Sequence, residues 1–69
     1  MDSQVRYEFQ LAERLSATAL TAFPELHLAD AGLGTILFGP VRDRSELYGF
    51  LGRFDVMGLT VLSFHRLPD

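Results

Sequence analysis

The stretch Val5-Arg6-Tyr7-Glu8-Phe9-Gln10-Leu11 alternates apolar and polar side chains without a break, the period-two pattern of a half-buried strand. Its core edge is Val5, Tyr7, Phe9 and Leu11, with Arg6, Glu8 and Gln10 pointing the other way. Farther along, Leu47, Phe50, Leu51 and Phe54 stand at the i, i+3, i+4, i+7 spacing that puts four side chains on one side of a helix. A strand-like segment followed by a helix-like segment occurs twice in 69 residues, so a sheet backed by helices is expected.

The segments between these anchors complete the pattern. Ser16 is a good N-cap and Pro24 cannot continue a helix, which predicts a first helix over Ala17 to Phe23 with Leu20 and Phe23 inward. A second strand is expected over Glu25 to Ala29, with Leu26 and Leu28 on the core side. Asp30-Ala31-Gly32-Leu33-Gly34 reads as a turn, and Thr35 to Gly39 as its hairpin partner. Asp43-Arg44-Ser45-Glu46 has the form of a capping box, opening a helix that runs to about Met57. Gly58 suits the left-handed C′ position, and Leu59 to Leu67 is the last strand.

The order βαββαβ at this length has one favoured solution. It is an α+β, ferredoxin-like two-layer sandwich: an antiparallel four-stranded sheet of order 4-1-3-2 with two helices on one face. Residues 1–69 are expected to form one domain, its core spanning about residues 5 to 67.

Composition narrows the function classes. Apolar residues are 48% of the chain, with six Phe and two Tyr, enough for one small core and too many for a disordered segment. No cysteine is present, so disulfides and thiolate metal ligands are excluded. Six arginines and no lysine stand against nine acidic residues, for a net charge of −3. No basic cluster is available for a phosphate backbone, and nucleic acid is not an expected partner. No stretch approaches the ~20 apolar residues needed to span a bilayer, and Met1-Asp2-Ser3-Gln4 is unlike a leader. A cytoplasmic protein without membrane contact is expected.

The segments GTILFGPVRDRSELYGFLGRFDVMGLTVLSFHRL (Gly34 to Leu67) and RLSATALTAFPEL (Arg14 to Leu26) carry a resemblance. Their elements are G-T-x-L-x-G-P-V at a strand and its exit, D-x-x-x-L-x-G-x-L at a helix start, and G-L-x-x-L-S. In these the chain resembles a group of small stand-alone actinobacterial proteins of unknown function. The resemblance implies no activity, substrate or cofactor. Leu11 to Glu13 lack the glycine that the group has before its first helix, a departure that touches only the loop there.

A sheet with helices on one face leaves its other face open. With Leu37 and Gly39 inward, where glycine permits close approach, Ile36 and Phe38 are exposed at its centre. His27, Ala29, Val61, Ser63 and His65 complete that face beside Arg6 and Glu8. An apolar centre inside a polar rim is the anatomy of a modest interface, although two or three apolar residues on an open sheet are also ordinary surface. The expected interface is Ile36, Phe38, Val61, His65, Arg6 and Glu8, and the expected partner is a second copy, as in a homodimer, or another protein.

Ser45, Gly49, Gly52 and Val56 share the back of the second helix. Its two interior glycines point to close approach of a partner or to a helix that simply tolerates them.

Glu8 and His65 are predicted neighbours across the first and last strands, the minimum for acid–base work. No nucleophile or oxyanion loop accompanies them, and an exposed contact of Glu8 with His65 or Arg66 explains the pair as well. His27 and His65 fall on opposite edges, which argues against one shared metal within a subunit. Gly32-Leu33-Gly34 joins two strands and opens no helix, so it is not a phosphate loop. No catalytic residue, metal or cofactor is assigned. The expected role is a non-catalytic interaction module working through the open sheet face. The alternative is a ligand-sensing domain that binds a metabolite at a subunit interface near the Gly39–Asp43 loop.

Overall fold

Alternation along the first strand decides which way the sheet faces. The computed structural model describes residues 5–30 and 34–68. Its elements run β1 (Arg6–Leu11), α1 (Ala17–Leu20), β2 (His27–Asp30), β3 (Thr35–Pro40), α2 (Arg44–Val56) and β4 (Val61–Arg66). The four strands form one antiparallel sheet of order β2-β3-β1-β4, with β1 and β3 central. Counted from the β4 edge, the order reads 4-1-3-2. Phe9, Leu11 and Leu37 are buried on the side that carries both helices, together with Phe23, Leu26, Val41, Phe50 and Phe54. The Phe9 ring centroid lies 5.8 Å from Phe50 and 5.3 Å from Phe54, and Phe54 lies 4.9 Å from Phe23. These aromatics join sheet and helices into one α+β core.

Local chemistry sets where each element starts and stops. Asp43 caps α2 by accepting the Glu46 N–H at 2.9 Å, while Glu46 accepts the Arg42 N–H at 2.7 Å, one residue farther back than in the usual box. At the other end Gly58 has φ +76°, and the N–H groups of Gly58 and Leu59 donate to the carbonyls of Asp55 and Phe54, each at 2.9 Å. That is the Schellman closure. Helix α1 is shorter than expected. Ser16 does cap it, accepting the Ala19 N–H at 3.0 Å, but from Thr21 to Phe23 the N–H groups donate three residues back. Pro24 disfavours helical geometry at Phe23, and the helix tightens into turns that still deliver Phe23 to the core.

The sheet departs from simple alternation at two places: in β2, where pairing jumps from Leu28 with Leu37 to Asp30 with Ile36 and leaves Ala29, expected on the open face, outside the ladder, and in β4. Leu28 pairs with Leu37 on the helix side, as expected, yet it is 48% exposed, because edge strand β2 has a neighbour on only one side. In β4 the pairing runs Phe9 with Phe64 and Gln10 with Ser63, then jumps to Leu11 with Val61. The extra residue, Leu62, is a β-bulge that reverses the alternation. Val61 therefore packs on the helix side against the core, which corrects its expected place on the open face.

The link from β1 to α1 is held by side chains. Buried Thr35 donates its hydroxyl to the Glu13 carbonyl at 2.7 Å and accepts the Leu15 N–H at 3.0 Å. A Cβ at Gly34 would collide with the Leu11 carbonyl oxygen, so this crossing requires glycine at position 34. The expected turn from Asp30 to Gly34 falls largely on 31–33, outside the described residues.

Candidate functional site

The open side of the sheet presents one row of side chains across all four strands and a second across β3, β1 and β4. Register aligns His27 with Phe38, Phe38 with Glu8, and Glu8 with His65. The His27 and Phe38 rings are 5.4 Å apart, and His65 Nε2 lies 3.3 Å from Glu8 Oε1. The next row carries Ile36, Gln10 and Ser63, where the Ser63 hydroxyl donates to Gln10 Oε1 at 3.3 Å. Beyond Phe38, Pro40 pairs with exposed Arg6. Ile36, Phe38 and Pro40 thus form an apolar ridge along β3, half-buried by their neighbours. Arg6, Glu8 and Gln10 flank it on one side and His27 on the other.

Five of the six expected interface residues, Ile36, Phe38, His65, Arg6 and Glu8, are brought together on this face, and Val61 is not. The Glu8–His65 contact is an ion pair only when the imidazole is protonated. His27 and His65 are separated by three strand spacings, about 14 Å, too far to share one ion. Among the described residues no group of three or more His, Asp or Glu side chains is placed to hold a metal. Ser63 and His65 share a face, but the Ser63 hydroxyl is engaged by Gln10.

Two carboxylates away from this face have lowered pKa values. Glu13 accepts the Thr60 N–H on one oxygen and the Thr60 hydroxyl on the other, both at 2.8 Å, which holds its carboxyl below the ordinary 4.5. It ties the start of β4 to the loop after β1. Glu25 is lowered by hydrogen bonds from the Arg53 guanidinium, at 3.3 and 3.2 Å. Arg53 also donates to the Ala22 carbonyl at 2.9 Å and lies over the Phe23 and Phe50 rings, 4.8 and 5.0 Å from their centroids.

The sequence reading missed a surface around β4. Leu62 and Phe64 are 59% and 43% exposed, and they flank a hollow of about 530 Å³ against Leu51 and Asp55 of α2. A second hollow, of about 280 Å³, opens at the exit of β3, where Arg42, Arg44 and Arg66 surround Tyr7, Val41 and Leu47. No helix among the described residues is long and apolar enough to cross a membrane.

Residues 6–65 match a family described as Domain of unknown function (DUF8691). The chain belongs to the DUF8691 family. The match takes in every element of the fold except Arg66, the last residue of β4. No curated protein and no solved structure matches the chain.

Proposed function

We propose that this DUF8691 domain is a non-catalytic interaction module that holds a protein partner, a second copy or a different chain, against its open sheet face. The ridge of Ile36, Phe38 and Pro40 along a central strand, uncovered by either helix and bordered by Arg6, Glu8, His27 and His65, carries the reading. Three six-residue strands and the four-residue β2, at ~3.4 Å per residue and ~4.8 Å between strands, make a platform about 20 Å on a side. That suits a small interface with an apolar centre and a polar rim. The element order and sheet order favour the ferredoxin-like class. A cytoplasmic setting belongs to the same proposal, and fractionating cells of the native host tests it.

Sedimentation velocity on the wild type and on Phe38→Asp, with circular dichroism to verify folding, separates the two kinds of partner. A wild-type oligomer that Phe38→Asp disperses makes the occupant a second copy. A wild-type monomer makes it another protein, which the wild type retains and Phe38→Asp does not.

A second reading is favoured by the hollow beside the Gly39–Asp43 loop. Its three arginines, of which Arg42 is paired with Glu46, outnumber the one acid, Asp43, over an apolar floor and suit a small anionic metabolite, which would make the domain a ligand sensor. Metabolites of that class would then raise the melting temperature, and Arg44→Ala would abolish the rise.

A further inference from the structure

Strand β4 is the longer free edge of the sheet: β2 has four residues and β4 six, each with one register shift, and in β4 the run from Ser63 to Arg66 beyond the Leu62 bulge is regular. The Leu67 N–H donates to the Arg6 carbonyl at 2.7 Å, and this fixes the phase of the ladder. Residues 63, 65 and 67 turn their backbone groups toward β1, and the N–H and C=O of Phe64 and Arg66 point out of the sheet. An edge of this kind, with Phe64 and Leu62 exposed along it, is a template for another strand.

We propose that a second copy of this chain occupies the edge, its β4 antiparallel to the first about a two-fold axis through Phe64. Phe64 and Arg66 offer their hydrogen bonds outward, so this two-fold register sets Phe64 against Phe64 and brings Arg66 beside the bulge residue Leu62. Arg66 of each copy then stands at the mouth of the hollow that Asp55 and Leu62 line in the other. Neither Asp55 nor Arg66 has an ion-pair partner among the described residues, and the two-fold axis gives each one. The product is a continuous eight-stranded sheet whose open face stays free, so this contact is distinct from docking on the Phe38 ridge.

A charge exchange tests it by sedimentation velocity over a wide concentration range. The wild type is expected to dimerise. Asp55→Arg and Arg66→Asp, each placing like charges together twice per dimer, should weaken dimerisation about threefold to thirtyfold. The double variant D55R/R66D should return to within about threefold of the wild type. A wild type that is monomeric throughout, single variants with unchanged dimerisation, or a double variant weaker than either single would each overturn the proposal. Dimers that Phe38→Asp abolishes and Asp55→Arg leaves intact would also overturn it, while upholding association through the open face.

Discussion

Leu26 packs directly onto Gly39: a Cβ at position 39 would stand 2.9 Å from Leu26 Cδ2 and 2.7 Å from the Glu25 carbonyl oxygen. The segment leaving α1 crosses the sheet at this point, and the crossing carries buried Leu26 and Phe23 into the core. Gly39→Ala should therefore destabilise the domain by about 1–3 kcal/mol, because backbone must move to admit the methyl. Urea unfolding measured beside the wild type checks the size.

The glycines of α2 should behave oppositely. A Cβ at Gly49 or Gly52 meets nothing within 4 Å, so neither is needed for packing inside the chain. Each helix-interior glycine costs about 1 kcal/mol relative to alanine. Gly49→Ala and Gly52→Ala should each raise the melting temperature by about 4–8 °C. An unchanged or lower melting temperature would mean that packing at this helix face is misassigned.

Arg53 links three parts of the domain, and lysine cannot reproduce its geometry. Its planar fork reaches Glu25 and the Ala22 carbonyl while stacking over Phe23 and Phe50. Arg53→Ala should cost about 1–3 kcal/mol from lost cation–π contact and hydrogen bonds. Arg53→Lys should recover less than half of that. Equal stability of the lysine variant and the wild type would show that charge alone suffices.

The clamp of Glu13 on Thr60 gives stability a defined pH dependence. The folded pKa of Glu13 is depressed, so its contribution is fully present above the ordinary value of 4.5 and is lost as pH falls through the lower folded value. Glu25 acts in the same direction. The urea midpoint of the wild type should fall as pH drops below about 5, and Glu13→Gln should flatten that fall while lowering the midpoint at pH 7. A pH profile that Glu13→Gln leaves unchanged would contradict the role of the clamp.

Much of this arrangement was legible before any coordinates, and for a physical reason. A strand or helix buried on one face must repeat with its own period. The alternation of Val5 to Leu11 and the spacing of Leu47, Phe50, Leu51 and Phe54 therefore placed Phe9, Phe50 and Phe54 in the core. Ser16, Asp43 and Gly58 took their capping positions because each satisfies backbone groups locally. The bulge at Leu62 belongs to the pairing of two strands distant in sequence, and Val61 was misplaced by extending one phase through it. Its trace was present all the same: Leu59 and Val61 keep one parity, Leu62 and Phe64 the other. Exposure of Leu28 and Phe64 was not legible, since alternation shows which way a side chain points but not whether a helix lies above it.

Site-specific photo-crosslinking in the native host tests the central claim most directly, with p-benzoylphenylalanine in place of Phe38 and, as a control, in place of exposed Tyr48 on α2. Position 38 should yield one discrete protein adduct that Ile36→Asp abolishes, and position 48 should not yield that adduct. No adduct at 38, or the same adduct from 48, would contradict docking on the open sheet face.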